Sequence, residues 1–575
     1  MKNKKHIAIL GGGPSALFMF KRLVESKITG LSINIFERGD RLGSGMPYSK
    51  YGANDEHITN VSGNEIPELV TSVADWINTV PKDTLDKFHL DPSKFNDYKV
   101  LPRLLFGQYL SDQFAMLQQQ AKNEGIDFEV HYNSTVTNIT DFAEKEIVQV
   151  EINYENKFEF DQVVVCTGHN WPKKYEGKVK GWFDSPYPPD KLGLKANHAV
   201  AVRGSSLTAV DAIRTLGRHN GAFSKNDSGK TTYTTYPESS EFKIILHSRN
   251  GLLPAVRFHL EDSHLSNSSL LTEDEITEHI KQNGGFLSLD FIFEKDFKAI
   301  FEDKDPEFYA HIKDMRMEDF VDEVMQQREN ADPFELMKEE YAEAERSIKQ
   351  RKSVYWKEML GVLSFAMNYP AKHFSAEDML RLQKTLLPLI SVVIAYIPQS
   401  SCDEMLAMHA AGALELISVG EDGEVEPGEI GGATYKYTDE TGKQQSVKFD
   451  TYVDSVGQPH LPFEEIPYPG LIDKRTITPA KLKFKDAPEG LKAMEAGQKV
   501  TTDTSGDYYL QVSGVAINDN FQVVDTYGAL NDRIYMMAVP YIGGFNPDYS
   551  GLDFCEAASA RIITSMFDED VVVKE

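Results

Sequence analysis

The chain has 575 residues, 41% hydrophobic and 26% charged, ordinary values for a folded protein with room for two to four domains. A formal net charge of −28 excludes nucleic acid as a partner, because phosphate contacts need a basic surface. The three cysteines, Cys166, Cys402 and Cys555, form no Cys-x-x-Cys, which excludes a dithiol reductase and a zinc ribbon, and no His/Asp/Glu pattern has metal-ligand spacing.

In chain order, residues 1–5 are basic, and the apolar stretch after them reads as a strand, not a secretory signal. His6-Ile-Ala-Ile-Leu runs into Gly11-Gly-Gly13-Pro14-Ser15-Ala16, a helical stretch over 17–23, and a second strand, 31–36, that ends at Glu37-Arg38. Strand, glycine turn, helix, strand and acid make a mononucleotide-binding unit. Gly11 permits the tight turn, Gly13 close approach to a pyrophosphate, and Ala16 close packing of helix on strand. Pro14 suits the first helical turn, Ser15 follows it, and Glu37 can hold ribose hydroxyls. Residues 43–68 form a loop rich in glycine and proline, with Gly45, His57 and Asn60. Residues 88–97 are a polar surface loop, 104–124 a helix, and 128–132 and 136–139 strands. Phe160-Asp161 leads a closing strand into Thr167-Gly168-His169.

A second unit follows. Ala199-Val-Ala-Val-Arg-Gly204-Ser205-Ser206-Leu207-Thr208-Ala209 is Gly-x-Ser-x-x-Ala between a strand and an amphipathic helix. Its partner strand, 242–249, comes after a polar excursion at 220–241 and ends in Arg249. A base there suits the 2′-phosphate of NADPH, with NADH as the alternative. Residues 261–400 change to acids, bases, Met and aromatics at helical spacing, as over 325–350 and 372–387, and read as an all-helical insertion. Its role as a substrate-shaping cap or as a stabilising or dimerising appendage stays open. Residues 386–397 are the longest apolar segment, broken by Pro388 and too short to span a bilayer. Residues 405–419 resume the strand–helix pattern. Phe449-Asp450, with Gly457, repeats the offsets of Phe160-Asp161 and Gly168, which points to duplication. Near the end, a strand at 534–539, a loop containing Gly544, and a helix from Leu552 follow; Ser550 and Asp553, around Gly551, fit a capping box.

This layout resembles flavoproteins with two dinucleotide-binding domains. Within them it is most similar to the flavin-containing and N-hydroxylating monooxygenase branch, and to bacterial FAD/NAD(P)-binding proteins. The likeness rests on residues 11–16, Glu37, 43–48, Pro102-Arg103 through 110, 167–169, 204–209, Ser248-Arg249 and Gly551-Leu552. It implies an α/β fold of two Rossmann-like dinucleotide-binding domains, the FAD domain interrupted by the NAD(P)H domain, with an all-helical insertion. The expected division is 1–195 and 458–575 for the FAD domain, 196–260 and 401–457 for the NAD(P)H domain, and 261–400 for the insertion.

The same resemblance implies FAD along Gly11, Gly13, Pro14, Ser15, Ala16, Glu37, Arg38, Gly45, Val136, Thr167, Gly168, Gly544, Ser550, Gly551 and Leu552. NADPH is then expected along Gly204, Ser205, Ser206, Leu207, Thr208 and Arg249. The 43–68 loop would cover the flavin ring, bringing His57 and Asn60 forward as catalytic candidates. The last helix would point its N-terminus at the flavin's pyrimidine edge. The expected activity is that of an FAD-dependent, NAD(P)H-consuming oxidoreductase. The first choice is a monooxygenase acting on a small amine or amino acid through a C4a-hydroperoxyflavin. The alternatives are a flavin reductase or dehydrogenase with a non-oxygen acceptor, and a non-turnover redox sensor. A small-molecule substrate, a cytoplasmic location, no membrane contact and a homodimer complete the expectation. One departure matters: the Phe-x-Gly-x-x-x-His linker of the flavin monooxygenases is missing around 167–172.

Overall fold

The computed structural model describes residues 4–169, 171–261, 270–458, 460–547 and 551–567. Two mainly parallel sheets organise it, the first with one antiparallel edge strand, Gln522–Val524. The first has six strands in the order Gln522–Val524, Leu530–Met536, Gln162–Val165, Lys5–Leu10, Leu31–Phe36 and Asp127–His131. The second has five, in the order Trp182–Phe183, Thr451–Asp454, Ala199–Arg203, Lys243–Ser248 and Leu414–Ser418. Central strands of such sheets are covered on both faces and read as unbroken apolar runs. Ile7 to Leu10 and Val163 to Val165 accordingly have no exposure, with Ile9 level with both Ile35 and Val164.

The duplication is visible strand by strand. The Gln162–Val165 strand lies parallel to Lys5–Leu10, and Thr451–Asp454 lies parallel to Ala199–Arg203. Each closing strand is preceded by a three-stranded antiparallel meander, Val136–Phe142 to Asn156–Phe160 in one unit and Glu424–Pro427 to Gln444–Phe449 in the other. The chain therefore has an α/β fold with two Rossmann-like units and a helical middle domain. The middle helices occupy the same topological place in the second unit that the 43–68 loop and its neighbours occupy in the first. Both are long excursions that follow the second strand.

Several local expectations change. The polar excursion at 220–241 is a hairpin, Gly221–Lys225 with Thr231–Thr235. Its Thr and Tyr residues favour strands, and Tyr233 donates to the Gly217 carbonyl at 2.9 Å, which pins the hairpin to the preceding helix. The 325–350 stretch is two helices, Met317–Glu329 and Pro333–Gln350, because Asp332 caps the second and Pro333 opens it. The 372–387 stretch contains a wide π-helical turn, Leu382–Leu386, before the Leu387–Val393 helix. Pro388 has no N–H to give to Lys384, so the regular ladder cannot continue there. The C-terminal helix, Leu552–Met566, has Gly551 as its N-cap. Ser550 itself lies outside the described residues.

Among the described residues no helix is long and apolar enough to cross a membrane.

Candidate functional site

The first glycine turn leaves the Lys5–Leu10 strand and enters the Pro14–Glu25 helix. Gly11 has φ +109°, and a Cβ there would lie 2.6 Å from the Cys166 carbonyl oxygen, so only glycine lets the turn graze the closing strand. Gly13, the N-cap, offers no side chain to the helix's first N–H groups, and a Cβ on it would stand 3.3 Å from the Gly45 Cα. Bare backbone thus faces bare backbone at a helix N-terminus, a cradle suited to a diphosphate. The Glu37 carboxylate is held across its mouth, accepting from the Gly12 N–H at 2.7 Å and the Gly39 N–H at 2.6 Å. Ser15 touches the Cys555 sulfur at 3.5 Å, Ala16 is buried in the helix–strand contact, and Arg38 is exposed. Val136 opens its strand half-buried, the Thr167 hydroxyl lies 3.0 Å from that of Tyr468, and Gly168 is exposed.

The second turn repeats the arrangement. Gly204 has φ +98°, and a Cβ there would meet the Ser455 carbonyl oxygen at 2.8 Å. Ser206 stands at the N-cap of the Leu207–Asn220 helix without capping it, while Ser205 turns away and donates to the Leu252 carbonyl at 2.6 Å. The first-turn N–H groups therefore have no side-chain cap. Arg249 is exposed and only loosely paired with Glu421, at 3.5 Å.

These parts meet in a cavity of about 1020 Å³. Gly204 to Thr208 and Arg249 line one side; Gly551 to Asp553 at the last helix's N-terminus, and Met46 to Tyr48 with Asn60 from the loop, line others. His169, Trp171 and Tyr187 contribute an aromatic wall, and the middle helices a further one. The first glycine turn abuts the cavity through the contact of Gly13 and Gly45, next to Met46.

Two nominated residues do other work. His57 is fully buried, with its Nδ1 accepting from the Asn54 N–H at 3.0 Å and its Nε2 3.1 Å from the Thr215 hydroxyl and 3.2 Å from the Asp211 carbonyl. Its ring joins loop to helix and is not part of the cavity lining. Gly544 packs against the Tyr508–Val515 strand, donating to the Ser513 carbonyl at 2.9 Å, and lies outside the cavity lining.

Residues without an assigned role in the sequence reading also converge here. Arg103 and Tyr187 bond one oxygen of Asp211, at 2.5 and 2.6 Å. Burial alone would raise the Asp211 pKa, but Arg103, His57 and Tyr187 outweigh it and hold the carboxyl below its usual range. Arg257 is bonded to Glu65, to the Asn60 carbonyl and to the Ser62 hydroxyl, and Tyr396 lies over its guanidinium. His169 and His247 line the cavity as neutral rings: burial lowers both, and pushes His247 down to about 4. An acid inside an apolar helical run, Val210-Asp211-Ala-Ile, is the one sequence signal that marked a buried ion pair.

Comparison with known proteins agrees with this architecture. Residues 8–170 match the model of the FAD-NAD(P)-binding family, and residues 272–394 match the YdhS-like middle domain. The first part of the chain thus carries an FAD-NAD(P)-binding domain, and its middle a YdhS-like middle domain. It is 28% identical over 471 residues, 81% of this chain and 86% of the other, to the uncharacterized protein YdhS of Escherichia coli strain K12. Among solved structures it is similar to FAD-bound DfoA, a cadaverine monooxygenase from Erwinia amylovora, at 12% identity and TM-score 0.44, covering 100% of this chain and 97% of that one. It is likewise similar to L-lysine 6-monooxygenase from Pseudomonas syringae, at 12% identity and TM-score 0.43, covering 98% and 99%.

Proposed function

We propose that this protein is an FAD-dependent oxidoreductase that consumes NADPH and hydroxylates a small amine or amino acid. The observation that carries the redox reading is the shared cavity, where the second glycine turn, the N-terminus of the last helix and the loop beside the first turn face one another. When bound, FAD supplies hydride acceptance from the nicotinamide and passes the electrons to oxygen or an organic acceptor.

The chain's own residues do the remaining work. The turn at 11–13 binds a diphosphate through backbone N–H groups, and Glu37 accepts from ribose hydroxyls. Arg249, exposed and weakly paired, meets the 2′-phosphate of NADPH. The helix that opens after Gly551 places its positive dipole end in the cavity, which favours negative charge there. His169, Trp171 and Tyr187 exclude water, and the buried carboxylates Glu65 and Asp211 are tied to arginines. Oxygen insertion asks for a dry pocket more than for acid–base machinery, which favours the monooxygenase. The missing linker fingerprint favours the runner-up, a reductase with an organic acceptor.

The test is spectroscopic. Purified protein should carry yellow FAD, and anaerobic NADPH should bleach it. An amine that accelerates NADPH and oxygen consumption together supports hydroxylation, whereas acceleration by a quinone or other acceptor without oxygen uptake selects the reductase. FAD that NADPH leaves unbleached overturns the redox reading.

A further inference from the structure

The middle domain does more than decorate the second unit. Its last segment runs beside the chain that leaves the second sheet: the Ala255 N–H donates to the Val392 carbonyl at 3.0 Å, the Ile397 N–H to Ala255 at 2.8 Å, and the Arg257 N–H to Ile397 at 2.8 Å. This zipper brings Leu252 and Leu253 beside Pro388, Ile390, Val392 and Ile394, all lining the cavity. At the end of the zipper lie Glu65 and Tyr396. One Glu65 oxygen, Oε2, is filled by Arg257, by the Ser62 N–H at 2.8 Å and by the Ser62 hydroxyl at 2.7 Å. The other, Oε1, receives the Tyr396 hydroxyl at the long distance of 3.4 Å, which leaves it room to accept another donor.

An ammonium or carboxylate entering this arm would lose its hydration, at a cost of several kcal/mol unless a counter-charge waits for it. Among the described residues lining the cavity, Glu65 is neutralised by Arg257 and Arg103 is taken up by Asp211, while Arg203, Arg249, Glu421 and Asp553 belong to the ends of the second sheet and to the last helix. We propose that the middle domain forms the substrate chamber, and that it selects an uncharged molecule with an apolar body and one N–H or O–H donor directed at Glu65 Oε1. This rests on the reading of the cavity as the redox site and narrows it: a neutral amine or alcohol is admitted, and a zwitterionic amino acid is excluded.

Calorimetry on the full-length protein, as purified with its cofactor, tests this with three probes that share one aryl body: 2-phenylethanol, phenethylammonium and phenylalanine. We expect 2-phenylethanol to bind at least roughly tenfold more tightly than phenylalanine. Ile394→Glu, which adds an unpaired carboxylate, should raise phenethylammonium affinity at least roughly tenfold and so move that cation up the order relative to 2-phenylethanol. Tyr396→Phe, which spares the Glu65–Arg257 pair and removes the competing donor from Oε1, should leave 2-phenylethanol binding equal or tighter, with circular dichroism confirming the fold of both variants. Equal or tighter binding of phenylalanine, binding of none of the probes, or an unchanged phenethylammonium affinity in Ile394→Glu overturns the proposal. Flavin content and NADPH bleaching are read in parallel. Their failure with the probe order intact removes the redox reading and leaves the chamber; their success with the order wrong does the reverse.

Discussion

At the scale of single residues, two side chains on the second unit have separable consequences. Arg249 is exposed beside Glu421, so removing it disturbs no core contact. Arg249→Ala should weaken NADPH at least roughly tenfold and leave NADH nearly unchanged, because only NADPH carries the extra phosphate. Fluorescence titration with both nucleotides checks this, and equal losses would refute the assignment. His247 behaves differently. Its ring is buried and stacked on Tyr435 with centroids 4.0 Å apart. Burial lowers its pKa from 6.5 to about 4, so the unfolded chain takes up the proton first as the pH falls. Stability present above pH 6.5 is therefore lost progressively toward about pH 4, by roughly 3 kcal/mol in all. His247→Phe keeps the stacking and loses the titration. Its urea midpoint should fall less than that of wild type between about pH 7 and about pH 4.5.

At the scale of elements, the two strand–turn–helix units are alike in geometry and separable in function. Alanine at Gly11 or at Gly204 places a Cβ against the closing strand of its own unit, in a backbone conformation that disfavours side chains. Gly11→Ala should yield protein with little or no bound flavin. Gly204→Ala should stay yellow while its NADPH affinity falls at least roughly tenfold, each change costing about 2 kcal/mol or more of stability. Absorbance at the flavin bands and an NADPH titration distinguish the two. Colour lost in both, or NADPH binding spared in Gly204→Ala, would refute the division of labour. The turns, their strands and their helices were legible in the sequence because each is a contiguous run governed by local rules: apolar residues, then glycine, then helical periodicity. The hairpin at 221–235 was not legible. Lysine, serine and asparagine obscure its alternation, and its stability comes from the Tyr233 contact with the preceding helix.

At the scale of the whole molecule, the cleft is held by ion pairs that join distant segments. Arg103 at the start of one helix, Asp211 on the other unit's helix, and Tyr187 from the stretch between the units share one carboxylate. Asp211→Ala leaves a buried guanidinium without its partner and should cost about 3–5 kcal/mol in denaturant unfolding. Because the folded carboxyl titrates below its ordinary range, the pair's contribution is present above about pH 4 and is lost as the pH falls through the lowered value. A variant as stable as wild type at neutral pH would show that the two units do not depend on this lock.

The residue pattern alone determined the class of fold, the two nucleotide-binding units and the helical character of the middle, because adjacent residues encode each of them. Only the tertiary structure decided that His57 is a buried joint, that Gly544 packs against a strand, and that the last helix starts from Gly551. It also decided that Asn60, Arg249, Gly551 and the middle helices share one cavity. The physical reason is separation along the chain. Glu65, Arg257 and Tyr396 meet across gaps of 192 and 331 residues, and no local pattern records which charges a fold will bring together and neutralise.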